Sequence, residues 1–289
     1  MTVGGGRTTG ALFIAISAVA FGSMAIFGKL AYAEGIRLDA LLFLRFSIAG
    51  LLMAGLMLAT RAAWPTGRAL GGLMLMGAVG YVGQAWCYFT ALKYASAGLT
   101  ALLLYLFPAI VTVLHAVLAR RMLSPLRAVA VVAALAGTAL TVGGDAHGQA
   151  IGVAFGIAAA FIYSVYILVG ERVTASVSAT AASAVVMLSA AAGSGSIVAF
   201  SGFTAPTTLA GWGAILAIAL VCTVIAILCF FAGLKRLGAP DASALSTLEP
   251  VATVALAAVF LGEMVSGVQL AGGAIILASV VVLARYGGR

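Results

Sequence analysis

The chain has 289 residues, of which 64% are hydrophobic and only 8% charged, with a mean hydropathy of +1.23. A soluble domain of this size would have to expose more polar surface than that to stay dispersed. The net charge of +8 comes from basic residues scattered singly between apolar runs. They form no patch, which excludes a nucleic-acid partner and leaves the membrane span, at about 20 apolar residues, as the unit of organisation.

Taken in order, the apolar runs predict ten helical spans, at 9–31, 39–59, 70–92, 97–119, 125–143, 150–170, 178–200, 210–234, 241–261 and 267–285. Helices are the expected form because hydrocarbon offers backbone groups no partner outside their own segment. The runs are also too long and too continuously apolar for barrel strands, which alternate. The first run follows Arg7 and holds a signal-like Ala18-Val19-Ala20, but it continues through Ile26 and Phe27. That length reads as an uncleaved first span. The second run carries Arg45. The third carries Tyr81, Gln84 and Tyr88 on one face, with Trp86 on another. Tyr105 and Pro108 lie in the fourth run, and Tyr163 and Tyr166 in the sixth. Ser243, Ser246, Thr247, Glu249 and Pro250 lie in the ninth. The three cysteines (Cys87, Cys222 and Cys229) all fall inside apolar runs. They read as buried thiols rather than disulfide or metal partners, and no metal or cofactor motif is present.

Charge sets the orientation. The face that bears the N-terminus, side A, collects Arg7, Arg61, Arg68, Arg120, Arg121, Arg127, Arg172, Lys235, Arg236, Arg285 and Arg289, whereas side B has only Lys29, Arg37 and Lys93. The bias predicts a multi-pass protein of the cytoplasmic (inner) membrane with side A, and both termini, cytoplasmic. Trp64 and Trp212 fall near span ends, where indoles favour the interface.

Sliding the chain on itself by 142 residues superposes its halves without gaps. Gly10 falls on Gly152, Gly28 on Gly170, Cys87 on Cys229, Lys93 on Lys235, Pro108 on Pro250, Met122 on Met264 and Ser124 on Ser266. About a third of the positions in 87–124 match. The expected organisation is an N-terminal five-helix repeat over 1–145 and a C-terminal one over 146–289, forming one transport domain. Five is odd, so the second half inserts upside down. Inverted halves are the architecture of alternating access.

Four residues suggest gates or hinges. Pro108 and Pro250 are repeat mates that each remove an N–H, freeing the carbonyls of Leu104 and Ser246. They read equally as packing kinks or as kinks at a site. Glu249 is the most deeply placed acid, and its readings are a proton or substrate contact, a helix partner, or a gate pair with Arg45. The substrate-binding candidates are Tyr81, Gln84, Tyr88, Tyr105, Tyr163, Tyr166, Ser243, Ser246 and Thr247. These would line a largely apolar, aromatic cavity suited to a small molecule with an apolar body and a polar head. Ordinary helix packing is the alternative for the serines and threonine. HExxH, GxSxG and paired intramembrane aspartates are all missing, so an enzyme is not expected.

Several runs together resemble the EamA-type branch of the drug/metabolite transporter superfamily. They are Ala91-Leu92-Lys93-Tyr94-Ala95-Ser96-Ala97-Gly98, Leu104-Tyr105-Leu106-Phe107-Pro108, Leu248-Glu249-Pro250-Val251, Leu261-Gly262-Glu263 and Leu44-Arg45-Phe46. Within that branch the chain resembles aromatic amino acid exporters of the YddG type. The resemblance covers essentially the whole chain. It implies ten spans in an inverted five-plus-five repeat, and a central cavity lined mainly by spans other than the fifth and tenth. It also implies export of amino acids or related metabolites, with other exported metabolites and drugs as the alternative.

Overall fold

The computed structural model describes residues 3–120, 122–144, 149–174, 177–237, 242 and 245–286. Ten apolar helices fall among them: α1 (Arg7–Ala33), α2 (Leu38–Thr60), α3 (Gly67–Tyr94), α4 (Ala97–Leu118), α5 (Pro125–Gly143), α6 (Ala150–Val173), α7 (Ala179–Ser201), α8 (Leu209–Leu237), α9 (Leu248–Leu261) and α10 (Gly267–Ala284). Nine of these are long and apolar enough to cross a membrane, and α9 is shorter at 14 residues. Helical backbone is also described before α9 at Ala242 and at 245–246. Large apolar side chains that point outward, such as Leu51, Leu58, Val79, Val117, Leu135, Phe200 and Phe260, suit a hydrocarbon solvent rather than water.

The repeat mates α2 and α7 run antiparallel against each other. Asp39 accepts a hydrogen bond from Ser201, Phe43 rests on Gly195, and Gly50 rests on Leu188. Further along, Met53 and Met57 share a cluster with Ala184 and Ala181. The mates α5 and α10 do the same. Ser266 Oγ donates to the Gly144 carbonyl at 2.8 Å, Gly137 abuts Gly272 and Ile276, and Ala130 and Ala134 cluster with Leu283. Mates related by an axis along the membrane normal would run parallel. These run antiparallel, so the axis lies in the membrane plane and the fold is two inverted five-helix repeats.

The same axis relates contacts residue by residue. Gly10 of α1 packs on Arg236 of α8, and its mate Gly152 of α6 packs on Tyr94, the mate of Arg236. A Cβ on Gly22 would stand 2.7 Å from the Glu249 carbonyl, and the mate pair has Ser164 Oγ donating to the Phe107 carbonyl at 3.2 Å. A Cβ at Gly10, Gly22 or Gly152 would stand no more than 2.9 Å from an atom of the facing helix, so glycine suits these close approaches. Departures from regular helix are also mated. A π-helical stretch covers Met76–Tyr81 in α3 and Ala217–Ile225 in α8. The turn at Tyr105 and Leu106 in α4 matches the turn at Thr247 before α9, each lying just ahead of its proline. Left-handed residues follow α4 at Arg120 (φ 51°) and α9 at Gly262 (φ 64°).

Gly262 turns the chain so that Glu263 reaches the start of α4. Ser96 accepts from the Leu99 N–H at 3.1 Å, while the Glu263 carboxylate accepts from Ala97 N at 2.8 Å and from Gly98 N at 3.3 Å. Three of the four N–H groups that a helix leaves without an intrahelical partner are thereby satisfied, two of them by the opposite repeat. Glu263→Ala is therefore expected to lower stability by about 1 kcal/mol, as loss of a cap does, with Glu263→Gln costing less. Arg120→Gly is expected to raise it by about 1 kcal/mol by relieving the left-handed strain. Denaturant unfolding in detergent measures both.

Candidate functional site

The π-helical stretches aim two repeat mates at one charge. Arg45 of α2 is 2% exposed. Its Nε donates to Thr223 Oγ1 at 3.1 Å and its Nη2 donates to Tyr81 Oη at 3.0 Å. Thr223 is the mate of Tyr81, so each half supplies one acceptor. Thr223 in turn donates to the Ile218 carbonyl five residues back, at 2.8 Å, the spacing of the widened turn. Phe46, Tyr81 and Phe89 present their rings to the guanidinium at 5.1, 5.6 and 5.7 Å. An unpartnered guanidinium at this depth would be costly; here hydrogen bonds and ring faces replace its water.

Rings lead from Arg45 towards Glu249. Tyr81 lies 5.9 Å from Tyr166, Tyr166 stacks on Tyr163 at 6.1 Å, Tyr163 meets Phe107 edge-on at 4.9 Å, and Phe107 meets Tyr105 at 5.8 Å. The Tyr105 hydroxyl then lies 2.9 Å from Glu249 Oε2 and 2.7 Å from the Ser246 carbonyl. That carbonyl belongs to the residue four before Pro250, whose missing N–H leaves it open. Tyr88 lies within Coulombic reach of both Glu249 and Arg45. Gln84 and Tyr88 are 8% and 7% exposed. The side chains of Gln84, Tyr88, Tyr163 and Tyr166 have no hydrogen-bond partner among the described residues, and no fully enclosed side-chain nitrogen or oxygen there lacks one. Their polar atoms are therefore not fully enclosed. The result is a line of aromatic rings, a candidate passage, with free hydroxyl and amide groups along it, a cation at one end and a carboxyl at the other.

The expected site residues divide accordingly. Tyr81, Gln84, Tyr88, Tyr105, Tyr163 and Tyr166 gather along the passage. Ser246 lies beside it with both polar groups engaged, its hydroxyl donating to the Ala242 carbonyl at 2.9 Å and its carbonyl taken by Tyr105. Thr247 is half-buried at the turn before α9. Ser243 lies outside the described residues. The expected Arg45–Glu249 gate pair is not formed: Arg45 is held by Tyr81 and Thr223, and the hydrogen bond of Glu249 is to Tyr105. Pro108 and Pro250 stand just past the turns in α4 and before α9. Sequence reasoning missed Thr223, Phe46, Phe89 and Phe107. The register of the repeat held the signal for two of them, since Thr223 is the mate of Tyr81 and Phe107 the mate of Glu249.

The model of the EamA-like transporter family matches the chain twice, over residues 8–143 and 150–285. The chain belongs to that family. Each match covers one of the five-helix units described above. An uncharacterized transporter of Bacillus subtilis (strain 168), YcbK, is 30% identical over 285 residues, covering 91% of this chain and 88% of that protein. A protein of known crystal structure is similar over 98% of this chain and 100% of its own, with 25% identity and a TM-score of 0.69. The EamA assignment makes the protein a transporter in a membrane, with a small molecule as its cargo.

Removing either acceptor of Arg45 tests how the charge is held. Tyr81→Phe and Thr223→Val are each expected to cost about 2 kcal/mol, the usual worth of a hydrogen bond to a buried charge. Because both serve one guanidinium, the double variant should depart from additivity. Thermal unfolding of the four proteins in the same detergent reads both effects.

Proposed function

We propose that this EamA-family protein exports amino acids, aromatic or other neutral ones, or related metabolites across the cytoplasmic membrane by alternating access. The observation that carries the reading is the passage itself: ring faces of Tyr81, Tyr166, Tyr163 and Phe107 beside the unpartnered polar groups of Gln84, Tyr88, Tyr163 and Tyr166. Such a lining takes an apolar or aromatic body and a polar head, and a sugar phosphate would call for several inward cations. The halves 1–145 and 146–289 act as one transport domain, with Pro108 and Pro250 as its paired hinges and Arg45 and Glu249 holding the two ends of the passage. Basic residues at the span ends support cytoplasmic placement of side A and of both chain ends. Contacts near side B support its being the closed face: Lys29 Nζ donates to the Ala95 carbonyl at 2.8 Å, Tyr32 to the Phe89 carbonyl at 2.7 Å, and Gln149 N to the Tyr94 carbonyl at 2.9 Å. Export of drugs or other metabolites through the same passage is the second reading, favoured by the absence, among the described residues, of a free fixed charge along the rings.

Uptake of radiolabelled amino acids into proteoliposomes is expected to saturate and to be accelerated by the same amino acid inside the vesicle. No flux across a panel of neutral amino acids would remove the substrate claim, and flux without that acceleration would argue for a channel. Tyr163→Ala and Tyr166→Ala should each weaken half-saturation for an aromatic substrate by roughly fivefold, the worth of about 1 kcal/mol of ring contact.

A further inference from the structure

The contacts of Tyr105 carry information about a proton. Its single hydroxyl hydrogen faces two acceptors, the Ser246 carbonyl at 2.7 Å and Glu249 Oε2 at 2.9 Å. Suppose Glu249 were ionised. If the hydrogen went to the carboxylate, the Ser246 carbonyl, already deprived of its N–H partner by Pro250, would face the phenol oxygen with no hydrogen between them. If it went to the carbonyl, the carboxylate would face the phenol oxygen in the same way. Either arrangement leaves two acceptors in contact inside the membrane, at the cost of an unmade hydrogen bond. A neutral Glu249 removes the conflict: the acid donates to Tyr105 Oη, and Tyr105 donates to Ser246. Both contacts then hold one hydrogen each.

The surroundings agree with a neutral acid. Glu249 forms no ion pair among the described residues. The titratable groups facing it are Tyr105 of α4, Tyr88 of α3 and Tyr163 of α6. From α1 it meets the backbone at Gly22, and α10 brings Ile276 and Val280 to the cluster around Tyr105. The intramembrane cation, Arg45, already has Tyr81 and Thr223.

We propose that Glu249 is a proton-binding site, loaded in this conformation, and that its proton completes a bridge between α4 and α9 which must break and reform as the halves exchange. The inference rests on the transport reading and adds to it that the cycle is coupled to protons. A proton joins the Glu249 carboxylate from water on one face, making the acid that closes the bridge. It leaves to water on the other face once α9 has parted from Tyr105. Because the closed form carries the proton, rising pH disfavours the bridge.

Two measurements test this, and the first needs no substrate. Infrared difference spectra of the purified protein between mildly acidic and alkaline pH should show a carboxylic-acid carbonyl band that fades as pH rises, is missing in Glu249→Gln and returns in Glu249→Asp. The second uses whichever solute the proteoliposome panel identifies. Glu249→Gln keeps a donor for Tyr105, so substrate exchange, which needs no net proton movement, should persist at a reduced rate. Accumulation driven by a pH gradient should fall at least roughly tenfold and lose its pH dependence, and Glu249→Asp should restore part of both. A pH-independent spectrum, or gradient-driven accumulation retained in Glu249→Gln, would overturn the proposal. If the panel yields no transported solute, the spectrum still decides proton binding while the substrate reading alone falls.

Discussion

Hydrocarbon will not solvate a polar group, so every such group inside this fold must be answered by another part of the chain. Arg45 is the most demanding case. Its answer comes from both halves at once, through Tyr81 and Thr223, each placed by a π-helical stretch of its own helix. Such a stretch widens one turn and redirects the side chains around it, a device that recurs at functional sites. The same requirement sorts the remaining polar residues. Ser17, Thr100, Thr138, Thr141, Ser164 and Ser194 all donate to backbone carbonyls and are used up in packing. Gln84, Tyr88, Tyr163 and Tyr166 are left with polar capacity, and they lie together. Function here is what remains after the membrane's demand has been met.

Duplication supplies the frame and departures from it supply the chemistry. Where the mates are small and alike, as at Gly10 and Gly152, the two halves pack alike. Where they differ, the site is found. Tyr81 faces Thr223 across the axis, Tyr105 corresponds to Thr247, and Glu249 to Phe107, so one half contributes rings where the other contributes an acid and a hydroxyl. The clamp on α4 is asymmetric for the same reason. Glu263 accepts from Ala97 and Gly98, but its mate is Arg121, whose side chain has no acceptor, and the mate of Gly98 is Pro240, which has no N–H. By residue type, the Glu263 clamp at side B therefore has no side-chain counterpart in the repeat register. Under the proposed alternating access, the two states related by the axis would then differ in energy, which would give the transporter a preferred resting state.

The fold was largely legible because its signals are long. Apolar runs of span length placed the helices within a few residues, and the matched register placed the mates. Antiparallel packing of α2 on α7 then follows from an odd number of spans per half. The site was legible to the extent that it depends on helix faces: the spacing of Tyr81, Gln84 and Tyr88 put them on one side, and Pro250 marked the open carbonyl of Ser246. Partners across the bundle were less legible. The Arg45–Glu249 pair was attractive on charge alone, but charge does not fix distance, and the guanidinium found neutral oxygens and ring faces instead. Thr223 looked like a packing residue because a threonine in a helix ordinarily bonds its own backbone; it does so here and accepts from Arg45 as well.

The two ionisable ends of the passage differ in what they can contribute to motion. A guanidinium keeps its charge at every accessible pH, and Arg45 donates one hydrogen bond to each half beside the close α2–α7 contact. In the proposed alternating access, a rocking of one half against the other would produce its smallest displacements near the two-fold axis, so a bond across it would survive the movement. Arg45 therefore suits a pivot better than a gate. Glu249 is placed differently. Its bridge joins α4 to α9, beside prolines that already interrupt both helices, and its charge can be removed by one proton. In the proposed cycle, opening that bridge would convert an acid matched to Tyr105 into a carboxylate that needs water or a substrate donor. In that reading the fixed charge would hold the halves in register, while the removable charge would lie where the helices part.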